Sequence, residues 1–148
     1  MKSILQTGRL SLREFEYPDA QFILKLVNTP QWLEFIGDRG VHSEEDAIEY
    51  LNTGPLKSYA ENGFGLWMVE LKHSKEPIGM CGLIKRDTLD DVDIGFAMMP
   101  EHAKQGYGFE IATATLSYAK NKLRLDKVVA ITSIYNIASI KLLVKCGL

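Results

Sequence analysis

Three β-rich runs follow one another between Gly65 and Met98, and only short polar turns separate them. They are Gly65 to Leu71, Ile78 to Ile84 and Val92 to Met98, joined through His73-Ser74-Lys75 and Asp90-Asp91. Connections this short suit antiparallel neighbours, because a parallel return needs a crossover of roughly a dozen residues. A loop with two glycines, Pro100 to Gly108, then leads into a segment from Phe109 to about Leu123. Its Ala112, Leu116, Ala119 and Leu123 stand at helical spacing. Lys127 to Ile134 is β-branched and apolar and reads as a buried strand. A chain with this order is held to an α+β fold: a central mixed, mostly antiparallel sheet flanked by helices.

The flanking segments fit that frame. Arg9 to Phe15 alternates, with Leu10 and Leu12 on one face and Ser11 and Arg13 on the other. Tyr17-Pro18-Asp19 opens a helix expected to reach about Asn28, where Thr29-Pro30 stops it. Ser43-Glu44-Glu45-Asp46 resembles a capping box ahead of a second helix. Asn52-Thr53-Gly54-Pro55 breaks that helix, and a short helical turn resumes to Tyr59. Asn136 to Lys145 is a last short helix. With 148 residues and no linker or repeat, residues 1–148 read as a single domain. The apolar fraction of 46% is enough to offset chain entropy, which excludes disorder as the dominant state.

Charge and cysteine usage narrow the function. Seventeen Lys and Arg against nineteen Asp and Glu leave a net charge of -2, which argues against nucleic acid as the main partner. Cys81 and Cys146 lie far apart, and His42, His73 and His102 are scattered, so no metal site is expected. Both cysteines read as reduced thiols. The N-terminus lacks a signal-peptide core and no window approaches a membrane span, so a cytoplasmic location and no membrane partner are expected.

The chemistry centres on the passage from strand to Gly-x-Gly loop to helix. Gly106 and Gly108 sit where free helix amides attract anions and where a missing side chain lets a phosphate approach. The bland alternative is an ordinary glycine turn. A dinucleotide fingerprint fails, because Ile111 stands at its third small position. A P-loop fails too, because Phe109 follows Gly108.

PEHAKQGYGFEIA resembles motif A of the GNAT N-acetyltransferases, the Arg/Gln-x-x-Gly-x-Gly/Ala element that binds the pyrophosphate of acetyl-CoA. TGRLSLREF is similar to the opening of the RimJ/RimL-like branch, and NIASIKLLVKCGL to that branch's ending. That branch is associated with protein N-terminal acetylation and with small amines. The resemblance implies a GNAT fold and an acyltransferase that moves the acetyl group of acetyl-CoA to a primary amine by direct attack. The alternative is a module that binds coenzyme A or an acyl ligand without turnover. Backbone groups of Met98 and Met99 are expected to hold the pantetheine arm. Amides of Lys104, Gln105, Gly106, Tyr107 and Gly108 are expected to hold the pyrophosphate, with Asn136 bonding the cofactor arm.

The resemblance also has departures. Ala103 stands where the family has Arg, Gln or Trp, and Lys104 where Gly is frequent. Leu143 occupies the position of a tyrosine acid. The resembled branch has a serine near the sulfur that can act as the acid, which implies Ser139 as the candidate acid here; Asp93, on the strand before the loop, is the candidate base. Asn136 also reads as a helix cap, and Glu110 as a structural carboxylate at a helix start. Trp32 and Phe35 are expected in the wall of the acceptor cleft. Cys146 is expected to be chemically quiet among apolar neighbours. The family's final hairpin and strand do not follow Gly147-Leu148, so an open sheet edge is expected. A homodimer is one way to cover it.

Overall fold

The computed structural model describes residues 3–132 and 135–148. Six strands form one sheet in the order of the chain: β1 (Ser3–Gln6), β2 (Leu10–Arg13), β3 (Leu66–Leu71), β4 (Pro77–Ile84), β5 (Val92–Met98) and β6 (Val128–Ala130). Every neighbouring pair is antiparallel except β5 and β6, which run parallel. The helices are α1 (Ala20–Leu26), α2 (Pro30–Phe35), α3 (Glu44–Thr53), α4 (Pro55–Asn62), α5 (Tyr107–Asn121) and α6 (Ile137–Lys145). Among the described residues, no helix is long and apolar enough to cross a membrane.

Strand alternation builds a core on each face of the sheet. Trp67 and Val69 of β3 pack with Ile111, Ala112 and Ala119 of α5, and with Leu143 of α6. Met68, on the opposite face of β3, packs with Ile23 and Leu26 of α1, Trp32 of α2 and Leu51 of α3. Leu10 and Leu12 share the first face, as their spacing predicts. The opposite face of β2 is not solvated. Arg13 is 7% exposed there, bonded twice to Asp19 at 2.8 Å and once to Glu70 at 2.9 Å. Asp19 above all raises the guanidinium pKa, so this buried cation is paired in the manner burial requires.

The departures from expectation are local. β1 was not anticipated, because Ser3–Gln6 carries no alternation and is recognisable only through its pairing with β2. Thr29-Pro30 ends α1, yet it also begins α2: the Thr29 hydroxyl accepts from the Trp32 amide and Pro30 takes the first turn. Past Gly54, α4 is a full helix to Asn62 rather than a turn to Tyr59. Ser43 caps α3 as its motif suggests, accepting from the Asp46 amide at 3.1 Å. β6 has three residues, whereas Lys127 to Ile134 was expected; residues 133 and 134 of that run lie outside the described residues. Among the described residues no strand pairs with its outer edge.

Candidate active site

β5 and β6 pair only from Val92 with Val128 to Ile94 with Ala130. β5 continues to Met98, so beyond Ile94 its side toward β6 has no strand partner among the described residues. That divergence opens the sheet next to the start of α5. Chain direction then turns sharply, and two residues take left-handed backbone angles: Lys104 at φ 60° and Gly106 at φ 83°. Gly106 does so without strain, and Lys104 occupies the position where the resembled motif often has glycine. Its left-handed angle gives that preference a physical reason. Among the described residues, no protein acceptor is paired with the amides from Lys104 to Phe109; the first bonded one is Glu110, to the Gly106 carbonyl. These are the orphan donors of a helix start.

A brace from the N-terminal strands holds this loop. Arg9 Nε donates to Glu110 Oε1 at 2.8 Å, the Arg9 amide to Oε2 at 3.1 Å, and Thr7 Oγ1 to Oε2 at 2.5 Å. Arg9 Nη1 also donates to the Gln105 carbonyl at 3.0 Å, with its guanidinium over the Tyr107 ring. Glu110 is therefore structural, and Thr7 and Arg9 of the opening motif are the residues that position the loop. Burial works against the Glu110 carboxylate, but the Thr7 and Arg9 donors outweigh it and lower its pKa. Since the folded value is the lower one, the brace contributes stability above the ordinary carboxylate range and loses it as pH falls through the folded value. Glu110→Gln should lose stability at neutral pH and show a shallower decline on acidification; melts from roughly pH 3 to pH 7 would check it.

A groove of about 500 Å³ runs past the loop. Lys104, Lys141 and Lys145 line it together with Gly106, Gly108 and Met98, and among the described residues no carboxylate does. Such a wall suits an extended anionic ligand. Met98 and Met99 part company here. Met99 has its amide bonded to the Ile78 carbonyl at 2.8 Å and its side chain in the core, so the groove has Met98 alone. The Met99 carbonyl is engaged as well, accepting from the His102 amide at 3.0 Å. Gln105 and Tyr107 reach the loop through their backbone, while their side chains turn to the Glu101 carbonyl and to Arg9.

A second, smaller cleft of about 150 Å³ lies against it. The two share Trp32, Phe35, Ile36, Phe96, Asn136 and Ser139 as common wall. Asn136 caps α6 by accepting from the Ser139 amide at 3.2 Å, so it is a cap and a wall residue at once. The half-buried Ser139 hydroxyl bonds no described residue. Leu143, one turn further along α6, floors the cleft without a hydroxyl. Asp93 is 1% exposed at the cleft, and Arg86 Nε donates to its Oδ1 at 2.9 Å. Asp91 lies just before β5 and pairs with Lys127 at 3.5 Å, outside the cleft. Arg39, Tyr50 and Arg86 also line the cleft. Arg39 and Tyr50 come from distant parts of the chain, while Arg86 lies in the connection between β4 and β5.

Neither cysteine belongs to the two cavities. Cys81 is buried and its pKa is pushed up to about 12 by that burial. Cys146 lies 3.7 Å from Thr113. Among the described residues no cluster could hold a metal ion.

A family model described as an acetyltransferase (GNAT) domain matches residues 9–148. An uncharacterised N-acetyltransferase of Bacillus subtilis, YoaA, is 30% identical over 148 residues, covering 99% of this chain and 83% of that protein. The fold is similar to the ribosomal-protein-S5-alanine acetyltransferase of Vibrio fischeri, with a TM-score of 0.80 at 17% identity, covering 99% of this chain and 82% of the other. It is also similar to the spermidine N-acetyltransferase of Vibrio cholerae in complex with CoA and spermine, with a TM-score of 0.79 at 24% identity, covering 95% and 81%.

Proposed function

This chain belongs to the GNAT acetyltransferase family and is an acyltransferase that uses acetyl-CoA, and from that premise we propose that it acetylates a primary amine, a protein N-terminus or a small amine, by direct attack. The residues present fit the cosubstrate: a groove of about 500 Å³, three lysines and unpaired loop amides suit a long ligand bearing phosphates. The observation that carries the reading is the common wall of the groove and the cleft, where Phe96, Asn136 and Ser139 face both.

Roles follow from that placement. When bound, acetyl-CoA supplies an activated acyl thioester. Amides of Lys104 to Gly108 bind the pyrophosphate, and the unpaired edge of β5 near Met98 holds the pantetheine arm. Asn136 spends Oδ1 on its cap, which leaves Nδ2 as a donor to the arm. Ser139 Oγ gives a proton to the departing sulfur while the amine nitrogen takes the acetyl group. The amine must attack as the neutral base. An α-amine, with a pKa of roughly 8, needs less help to lose its proton than a lysine at roughly 10.4. Asp93 faces the same cleft as the candidate acceptor of that proton. No thiol lines either cavity, which supports transfer without an acyl-enzyme.

A thiol-release assay with acetyl-CoA and a panel of amines tests the reading. At least one amine should raise release well above the hydrolysis background, with the acetylated amine recovered in equal amount. Release that stays at background with every amine, in a protein that still binds coenzyme A, would leave a binding module.

A further inference from the structure

We propose that the acceptor is an amine that also bears a carboxylate, and that Arg86 and Arg39 recognise that carboxylate. The inference rests on the acetyl-transfer reading above and names the substrate class of the same site. Its basis is the charge inventory of the smaller cleft.

Among the described residues, the charged groups lining the cleft are Arg39, Arg86 and Asp93. Asp93 is already engaged, since its Oδ1 accepts from Arg86 Nε. The pair is lopsided: the Asp93 side chain is 2% exposed and that of Arg86 is 37% exposed. Only Nε of Arg86 is used, so the edge formed by its two Nη groups has no acceptor among the described residues. Arg39 is exposed and has no hydrogen-bond or ion-pair partner among the described residues. It lines the cleft together with Tyr50. Two guanidiniums thus face one cavity with a single carboxylate between them, leaving one positive charge in excess.

A guanidinium edge is a planar fork, and its geometry matches a carboxylate through two parallel hydrogen bonds. Asp93 anchors the other side of Arg86, so the fork is held in place before a ligand arrives. The rest of the wall is largely apolar or aromatic, with Trp32, Phe35, Ile84 and Phe96 among its members. A few placed polar groups in an apolar wall are how small-molecule sites fix orientation. A polyamine would instead set its extra ammonium groups against unpaired guanidiniums, which costs affinity.

Two sources supply such a ligand: a free amino acid, or a protein N-terminus with an acidic residue beside it. Steady-state acetylation kinetics distinguish them. One arm compares glutamate with its diamide. Another compares C-terminally amidated peptides that begin Ala-Asp or Ala-Asn, and spermidine completes the set. In at least one pair the acid should exceed the amide by tenfold or more in kcat/KM, and spermidine should be the poorest. Arg86→Gln would strand a buried Asp93, so Arg86→Lys and Arg39→Gln are the variants of choice, each checked by a thermal melt. Both should raise KM for the acidic acceptor by about tenfold, with acetyl-CoA affinity changed little and the preference over the amide reduced; kcat should change little in Arg39→Gln, whereas Arg86→Lys, which also alters the partner of Asp93, is read from the lost preference and not from kcat. Equal rates for acid and amide, or a preference untouched in both variants, would overturn the acceptor assignment while leaving acetyl transfer intact. Failure of every amine to accelerate thiol release would overturn the transfer reading and this inference with it.

Discussion

Replacing Gly108 by aspartate is expected to lower acetyl-CoA affinity by at least two orders of magnitude while the protein stays folded. Gly108 lies in the first turn of α5, on the groove wall, among loop amides that have no protein acceptor. Its φ is not in the left-handed region, so an L-residue can adopt its backbone angles. A Cβ there would meet Leu142 Cδ1 at 2.8 Å, the tip of a flexible side chain that can move. Aspartate is also favourable in a first helical turn, so the melt should shift by little. Its carboxylate would nevertheless stand where a pyrophosphate must bind. Losing two charge-assisted hydrogen bonds costs about 3–6 kcal/mol, and each 1.4 kcal/mol is about tenfold in affinity. Calorimetric titration with acetyl-CoA, beside a melt, checks the result. Gly108→Ala isolates the steric part and should cost much less. Gly106 is the poorer probe, since its φ of 83° strains any side chain and confuses binding with folding. A Gly108→Asp protein that binds like the parent would reduce the loop to a turn.

That loop was legible because its signal is local. Strand, glycines and helix follow one another directly along the chain, and β5 spans Val92–Met98 as the alternation indicates. The position of Lys104 could be recognised as unusual from the motif, but its left-handed angle could not. Asp91 and Asp93 show the limit of periodicity. Two residues apart implies one face, yet β5 begins at Val92, so Asp91 is a turn residue and Asp93 is buried at the cleft. Met99 shows another limit: the resemblance implies a backbone role for it beside Met98, yet its amide donates to the Ile78 carbonyl and its carbonyl accepts from the His102 amide. Least legible was the acceptor cleft. Arg39 lies after α2, Tyr50 is in α3 and Arg86 follows β4. Helices packed across the sheet bring Arg39 and Tyr50 to the cleft, and no spacing rule encodes that approach, whereas Arg86 reaches Asp93 within the β4–β5 hairpin, in which Ile84 pairs with Asp93. The brace of Thr7 and Arg9 on Glu110 joins residues 103 and 101 positions apart for the same reason, although its two ends lie in two of the three motifs that carried the resemblance.

The second large effect concerns proton delivery. Ser139→Ala should lower kcat by about 100-fold or more while changing acetyl-CoA affinity by no more than a few-fold. Position singles out Ser139 for this step. Ser139 lies on the wall common to groove and cleft, and its hydroxyl is half-buried with no bond to any described residue. Such a hydroxyl is free to donate to an atom that arrives with the ligand. Leu143, where a tyrosine acid would stand, has no proton to give. The cap that Asn136 makes uses the Ser139 amide and not its side chain, so alanine leaves the start of α6 in place. Two measurements separate a lost acid from a lost contact. Coenzyme titration should stay near the parent value, because a contact made equally in ground and transition states would show there first. A thioester donor with a more acidic thiol should recover much of the lost rate, because its leaving group departs without a proton. If the alanine variant keeps a rate within a few-fold of the parent, Ser139 takes no part in the proton transfer. If the deficit is the same for both donors, the hydroxyl acts on the ligand's orientation and not on the sulfur.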